Sequence, residues 1–277
     1  MKVALINSFD ERNQQAVAWQ INQVLAGELD ELWLATPHED AVQIARDLGL
    51  ELHQVFDLCS QSYLADQVDG EGVWFYDLKV PNQGQLVVNK DWTKSISVAG
   101  HLVADVRWFA NSNRLVQAVT WQNEGGQVDR KDIYQRNGRL FAKQYFSNGQ
   151  LLQSDFYVGF DQMVCQDFYF QGMRNFVLDK NQRHYDSAEN YLKHVMEKQG
   201  RCDVHISTVD RCLVLAPTGT TLALPQGVLD DQGNVWPDLV MVLTNQNHAV
   251  SRVLVAEIDR EKLKKAGLPL DKVELLA

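Results

Sequence analysis

Five aromatic residues, Phe109, Trp121, Tyr134, Phe146 and Tyr157, follow one another at steps of 12, 13, 12 and 11 residues. A turn sequence follows each of the first four: Asn111-Ser112-Asn113, Glu124-Gly125-Gly126, Asn137-Gly138 and Asn148-Gly149. After each turn comes a polar and an aliphatic residue: Arg114-Leu115, Gln127-Val128, Arg139-Leu140 and Gln150-Leu151. Asn-Gly and Gly-Gly between β-rich runs tolerate the positive φ angles of two-residue hairpin turns. The repeat therefore predicts a long antiparallel meander, and it interrupts a chain that otherwise alternates strand and helix.

Composition removes several classes of function. The chain has 277 residues, 45% of them hydrophobic, with a net charge of −10. That charge argues against nucleic acid or an anionic membrane as the main partner. No run approaches the ~18 apolar residues of a membrane span, and the start, Met1-Lys2-Val3-Ala4-Leu5-Ile6-Asn7-Ser8, turns polar too early for a signal peptide. A cytoplasmic location is expected. Cys59, Cys165, Cys202 and Cys212 form no C-x-x-C pair. Cys202, His205 and Cys212 fit no common zinc spacing. Buried free thiols are expected, and no metal.

Residues 1–68 read as β-α-β-α-β-α. Residues 3–6 are a short buried strand. Residues 13–26 form a helix with Val17, Ile21, Val24 and Leu25 on one face, ended by Gly27. A second strand at 32–35 leads to Thr36-Pro37-His38-Glu39, a helix start with Pro at the first position. Val42, Ala45 and Leu48 form its apolar stripe, and residues 52–56 a third strand. From Gly70 the period changes: Val73-Trp74-Phe75-Tyr76 opens a β-rich stretch to about 178, with 163–170 and 173–178 as its last strands. Helix returns at Ser187 with Asp186 and Glu189 as a capping pair. Strands are expected at 204–206, 213–216, 222–224, 239–243, 252–256 and 273–276, with a helix capped by Asp259 before the last. The alternation implies parallel strands with crossover helices.

The fold class expected is α/β: a Rossmann-like doubly wound domain with a large inserted antiparallel β-meander. Residues 1–69 and 181–277 are its two parts, and 70–180 the insertion. A split domain tolerates this if the ends of the insertion lie close together.

Familiar chemistry is missing. A nucleotide-binding Rossmann domain places glycines after its first strand. Here that turn, residues 7–13, holds no glycine and two carboxylates, Asp10 and Glu11, which repel a pyrophosphate. Neither a P-loop nor a G-x-S-x-G nucleophile motif is present. Asp203 and Asp210 flank the strand at 204–206, and structural roles as caps or turns outweigh catalytic ones. The meander aromatics are first a packing device, since cross-strand aromatic pairs stabilise a sheet. A long meander has two faces, however, and its free edges need protection or pairing.

Phe75-Tyr76-Asp77, followed by Tyr134-Gln135-Arg136-Asn137-Gly138-Arg139-Leu140 and Phe146-Ser147-Asn148-Gly149-Gln150-Leu151, resembles the bacterial GT-B glycosyltransferases that carry a β-sheet insertion in their N-terminal Rossmann domain. These include wall-teichoic-acid glycosyltransferases and the paired transferases of the accessory Sec system, which glycosylate serine-rich adhesins. The resemblance covers about residues 1–210. GT-B enzymes bind the donor nucleotide mainly in a second, C-terminal Rossmann domain, and this chain ends at Ala277. The family's glycine-rich loop is also absent, so no catalytic residue carries over. In the accessory Sec pairs one member is a non-catalytic partner that stabilises the active subunit and helps bind the acceptor.

The resemblance thus implies a non-catalytic accessory subunit of a cytoplasmic glycosyltransferase complex, without a cofactor. Its partner is a catalytic transferase or a second copy of itself, with an acceptor protein or glycopolymer as a further ligand. Trp108, Trp121, Tyr134, Arg139 and Tyr157 are the expected partner-binding residues. Two rivals are a small GT-B-like glycosyltransferase whose donor site is completed by a partner chain, and a carbohydrate- or peptide-binding module.

Overall fold

The computed structural model describes residues 1–68, 70–112 and 114–276. Asp69, Asn113 of the first expected turn and Ala277 lie outside the described residues. The chain opens with β1 (Lys2–Ile6), α1 (Gln15–Leu25), β2 (Glu31–Leu34), α2 (Ala41–Asp47), β3 (Val55–Asp57) and β4 (Ser62–Tyr63). Ten strands follow: β5 (Gly84–Val88), β6 (Lys94–Val98), β7 (His101–Trp108), β8 (Val116–Gln122), β9 (Val128–Tyr134), β10 (Leu140–Ser147), β11 (Gln150–Phe156), β12 (Cys165–Phe170), β13 (Met173–Asp179) and β14 (His184–Tyr185). The remainder is α3 (Ala188–Lys198), β15 (Asp203–Ile206), α4 (Arg211–Leu215), β16 (Thr220–Ala223), α5 (Pro237–Thr244), β17 (Val250–Val255), α6 (Glu257–Lys265) and β18 (Val273–Leu275).

Two sheets result, in two compact units. The first unit comprises Met1–Thr36, Ala45–Tyr63 and Leu192–Ala277. Its eight-stranded sheet runs β18-β17-β16-β15-β1-β2-β3-β4, parallel throughout except for the antiparallel β3–β4 pair. Val3, Ala4, Leu5 and Ile6 of β1 are all buried, the continuous apolar run of a strand covered on both faces. Each large aliphatic side chain so buried contributes roughly 1.5–3 kcal/mol. Gln20 of α1 is fully buried. Its amide donates to the carbonyls of Leu5 (3.4 Å) and His205 (2.8 Å), and its oxygen accepts from Ser207 Oγ (2.6 Å). It thereby joins the ends of β1 and β15, where the strand order reverses.

The second unit comprises Pro37–Ile44 and Leu64–Tyr191. Its ten strands pair strictly in chain order, β14 to β5, as the repeat predicted. Asn148 and Gly149 form the whole loop between β10 and β11, both with positive φ (49° and 74°). A core of Phe75, Leu78, Ile96, Ala104, Val106, Val116 and Val119 lies on β6–β8 and the segment before β5. Pro37–Ile44 is tied to the meander by acidic side chains. Arg136 grips Asp40 with Nε (2.5 Å) and Nη2 (2.9 Å), while Gln117 donates to Glu39 (2.9 Å).

Several local expectations are corrected. Residues 213–216 are not a strand but the end of α4, because Asp210 accepts the Cys212 N–H (2.8 Å) and starts a helical turn. Residues 239–243 lie in α5. Pro237 opens that helix, and Leu239, Val242 and Leu243 are buried at helical spacing. A short apolar run reads as either element by periodicity alone. The helix expected from Thr36 begins only at Ala41, after Glu39 and Asp40 have been committed to the meander. Asp259 is not the cap of α6 but sits buried in its first turn, bonded to Lys262 (2.7 Å). Ser187, not Asp186, caps α3, its Oγ accepting from Asn190 N (3.1 Å). The strand expected at 52–56 is a short 3₁₀ turn, Leu52–Gln54, followed by β3. Phe75–Asp77 is likewise a 3₁₀ turn, with Trp74 forming only an isolated bridge to Leu115.

The Asn137-Gly138 turn differs from its siblings because another stretch of backbone crosses it. A Cβ on Gly138 (φ +83°) would lie 2.7 Å from the Gly72 carbonyl carbon, whereas one on Gly126 (φ +75°) meets nothing within 4 Å. Asn137 Nδ2 also donates to the Gln67 carbonyl (2.7 Å). Gly126→Ala is therefore expected to cost about 1 kcal/mol, the backbone penalty alone, and Gly138→Ala roughly 2–3 kcal/mol more. Urea unfolding of the two variants checks this; equal costs would contradict the packed turn.

Candidate functional site

Residues paired across antiparallel strands point to one face. From β7 to β13 the register sets Ala104, Trp121, Arg130, Tyr145, Gln153, Phe168 and Phe176 in one unbroken row. Two residues along each strand runs a parallel row on the same face: Val106, Val119, Asp132, Lys143, Asp155, Gln166 and Leu178. The first row holds four aromatic rings with Arg130 and Gln153 among them; the second is aliphatic at Val106 and Val119, charged from Asp132 to Asp155, and ends on Gln166 and Leu178.

Two buried carboxylates organise this face. Asp132 accepts from the Trp121 indole N–H (2.7 Å) and from Arg130 Nη2 (3.1 Å). Arg130 Nε also lies 3.1 Å from Asp132 Oδ1, an ion pair outside hydrogen-bond alignment, and its guanidinium sits 5.3 Å from the Trp121 ring centre. Asp155 accepts from the Gln153 (2.6 Å) and Gln166 (2.8 Å) amides. Phe168 and Phe176 stack with centroids 4.4 Å apart. Burial raises the phenol pKa values of Tyr134, Tyr145 and Tyr157. Asp132 adds to this at Tyr134, and Asp155 at Tyr145 and Tyr157. The face thus keeps neutral phenols above anchored carboxylates, with flat rings half exposed beside them. Such a surface offers donors, acceptors and apolar area in fixed positions at low entropic cost.

The five residues expected from sequence do not form one cluster. Trp121, Tyr134 and Tyr157 converge electrostatically on Asp132 and Asp155. Trp121 and Tyr134 also pack against the core of the unit. Trp108 packs against the same core at its other end, edge-on to Phe75 (5.6 Å) with Lys94 Nζ 3.6 Å from its ring centre. Arg139 is exposed and donates to the Gly159 carbonyl (3.1 Å). Missed from sequence were Arg130, Asp132, Tyr145, Gln153, Asp155, Gln166, Phe168 and Phe176. An available signal was the spacing of two in Arg130/Asp132, Gln153/Asp155 and Gln166/Phe168, which puts each pair on one face.

In the first unit, the chain's own side chains are hydrogen-bonded to one another at the strand ends where an open α/β sheet usually binds ligands. Asn7 Nδ2 donates to Glu11 (2.6 Å), Thr36 Oγ1 to Asn7 Oδ1 (3.2 Å), and Arg211 Nη1 to Thr36 Oγ1 (2.9 Å). Asp210 is a cap, the structural role expected of it. Asp203 is held by Arg252 (3.2 Å). Asp57, at the end of β3, is buried, with one oxygen accepting from Ser60 N (2.9 Å) and the other without a partner among the described residues. Burial pushes its carboxyl up to about 6, against the opposing pull of the Ser60 and Cys59 hydrogen bonds. Among the described residues no three His, Cys, Asp or Glu side chains are grouped to hold a metal ion. No described helix is long and apolar enough to cross a membrane. Cys59, Cys165 and Cys212 are buried and Cys202 half-buried, all four as thiols outside any disulfide.

Residues 88–186 match the family model of the GtfB middle domain, a span running from the end of β5 through β14. The whole chain shares its fold with GT-B-related structures. Against the GtfA/B complex bound to UDP and GlcNAc, the TM-score is 0.63 at 13% identity, covering 99% of this chain and 61% of that one. Against accessory secretory protein 1,2 and 3 of Streptococcus pneumoniae it is 0.70 at 12% identity, covering 100% and 62%. Against TarM it is 0.69 at 10% identity, covering 95% and 58%. The chain therefore spans about three fifths of the length of the solved proteins it matches. No curated protein matches it in sequence. The resemblance carried by the Asn-Gly repeats is borne out: residues 88–186 match the GtfB middle domain, and the chain as a whole is similar in fold to the GtfA/B, accessory secretory protein and TarM structures.

Asp57 yields a pH test. Its folded pKa lies above the unfolded value of 3.8, so the folded chain binds more protons between these values. The stability it contributes is complete below about pH 4 and is lost as pH rises through 6. Relative to Asp57→Asn, the wild type is expected to lose on the order of 2–3 kcal/mol between pH 4 and 7. A stability difference between the two that stays constant over that range would contradict the buried, protonated carboxyl.

Proposed function

We propose that this chain is a non-catalytic accessory subunit of a glycosyltransferase complex, docking an active transferase through the row-bearing face of its meander. The observation that carries this reading is the coincidence of the seven-strand row with the segment matching the GtfB middle domain. That face has the composition of an interface centre, with Trp, Tyr, Phe and Arg together. Beyond the register shift at Phe168/Tyr169, the same hairpin ends in a tip where the paired Phe170 and Met173 are 64% and 69% exposed, large apolar groups that a partner would cover.

The strand order β3-β2-β1-β15-β16-β17-β18 supports a Rossmann-like, doubly wound reading of the first unit. The glycine-free turn after β1, occupied by Asn7, Glu11, Thr36 and Arg211, favours a subunit that leaves donor chemistry to its partner. We place the complex in the cytoplasm, and an acceptor polypeptide or glycopolymer on the same face. Solved relatives named as a GtfA/B complex support a catalytic transferase as partner. The unpartnered buried oxygen of Glu11 favours the second reading, a small transferase whose donor site a partner completes.

Co-expression with a two-domain transferase of the same genome, followed by co-purification, separates the two. The wild type is expected to co-purify. Phe170→Glu together with Met173→Glu is expected to weaken the complex at least about tenfold with Tm nearly unchanged. Sugar transfer from a nucleotide-sugar by this chain alone would establish the second reading, and undiminished co-purification of the double variant would remove the docking face from the first.

A further inference from the structure

The edge of a sheet invites another strand unless it is short, charged, kinked or covered, and three of the four sheet edges are short. The parallel sheet ends on β4, of two residues, and on β18, of three with Glu274 in the middle. The meander ends on β14, of two residues. Its other edge, β5, is different. The strand Gly84-Gln85-Leu86-Val87-Val88 is five residues long, and residues 82–89 hold no charge and no proline. It runs beside β6 without a bulge, and among the described residues it pairs with no other strand. Val88 is 42% exposed.

The hairpin fixes which backbone groups point outward. Asn89 N donates to the Thr93 carbonyl (2.8 Å), and bonded and non-bonded pairs alternate from there. Val87–Ser95 is a hydrogen-bonded pair, whereas Val88–Lys94 and Leu86–Ile96 are not. The N–H and C=O groups of Leu86 and Val88 are therefore directed away from β6, as a template for a further strand.

We propose that β5 pairs antiparallel with β5 of a second copy of this chain, about a two-fold axis through Val87, so that the two meanders become one continuous sheet. The pattern of residues selects a copy of itself. Centred on Val87, Leu86 meets the partner's Val88 and Val88 the partner's Leu86, and both pairs are of the kind that exchanges two N–H···O bonds. These side chains share the face of Ile96 and Val106, where Leu86 already packs against the Phe75 core. An apolar strip thus runs from copy to copy. On the other face Val87 meets the partner's Val87, and Gln85 the partner's Asn89. Apolar falls on apolar and amide on amide, with no charge in the strand pair. The neighbouring registers lose this match. Centring on Leu86 sets Gln85 against the partner's Val87 and calls on Gly84, whose N–H already bonds the Pro81 carbonyl (2.8 Å). Centring on Val88 sets Leu86 against the partner's Lys90. Pairing through an edge leaves the row of β7–β13 uncovered, so a dimer keeps both of its docking faces.

The test needs only the isolated chain, so its failure is distinct from failure of the docking proposal. A strand pair is a small interface, and the dimer is expected to be weak, with Kd roughly 10–100 µM. Sedimentation of the chain from about 5 to 500 µM is expected to show a reversible monomer–dimer equilibrium. Val88→Pro removes an outward N–H and no bond to β6. It is expected to weaken dimerisation at least about tenfold with Tm nearly unchanged. Val87→Lys and Val87→Glu each set like charges opposite one another on the axis. Either variant alone is expected to stay monomeric, whereas an equimolar mixture forms a dimer with one of each. A wild type that stays monomeric throughout, a dimer indifferent to Val88→Pro, or charge variants that do not pair when mixed overturns the proposal. A monomeric chain that loses its transferase through Val88→Pro overturns it too, and gives the edge to a strand of that partner.

Discussion

In a paired strand every second side chain faces the same way, and ten strands paired in chain order let that rule run unbroken across the sheet. The surface the meander presents depends on this. A slip of one residue at any strand would send Trp121, Arg130, Tyr145 or Phe168 to the opposite face. The register is held by tight turns such as Asn148-Gly149 and by the packed Asn137-Gly138, where no Cβ fits. It is also held by the hydrophobic pairing of Ile96, Ala104, Val106 and Val119 beneath the first strands.

The carboxylates Asp132 and Asp155 convert that register into a shaped surface. A buried carboxylate stripped of its partners costs several kcal/mol, so Trp121, Arg130, Gln153 and Gln166 are each drawn to one position by the group they satisfy. The rings beside them are pre-positioned without loss of freedom on binding. The first unit uses the same chemistry to the opposite end. Asn7, Glu11, Thr36 and Arg211 are linked by hydrogen bonds at the strand ends. The first unit thus ties its polar side chains to one another at the strand ends, whereas the second leaves aromatic rings partly exposed on its sheet.

What was legible in the sequence was local. Asn137-Gly138 and Asn148-Gly149 announce positive φ directly, and Val3 to Ile6 announces a buried strand, so both sheets were foreseeable. The row was not, because facing depends on pairing and pairing carries irregularities. The register shifts between Arg107 and Trp108, between Leu140 and Ala142, and between Tyr145 and Phe146. At each shift one strand carries an extra residue, so the pairing beyond it no longer follows simple alternation on both strands. The aromatics counted at steps of 12, 13, 12 and 11 therefore fall out of phase. Trp121 enters the row, whereas Phe146, the chain neighbour of Tyr145 in the row, does not. Trp108 packs beside Phe75, and Arg139 ends in solvent. Residues 213–216 and 239–243 failed for another reason: apolar runs so short carry no period, and Asp210 and Pro237 decided for helix.

The claim that the row-bearing face is an interface is tested most directly by amide hydrogen exchange of the chain, alone and with its co-purified transferase. The account predicts slowed exchange on binding at the β12–β13 hairpin tip, residues 169–173, where exposed backbone exchanges fast in the free chain, with the strand ends of the first unit unchanged. Protection confined to residues 7–12 and 207–212, with the hairpin tip unaffected, would contradict it and move the binding function back to the parallel sheet.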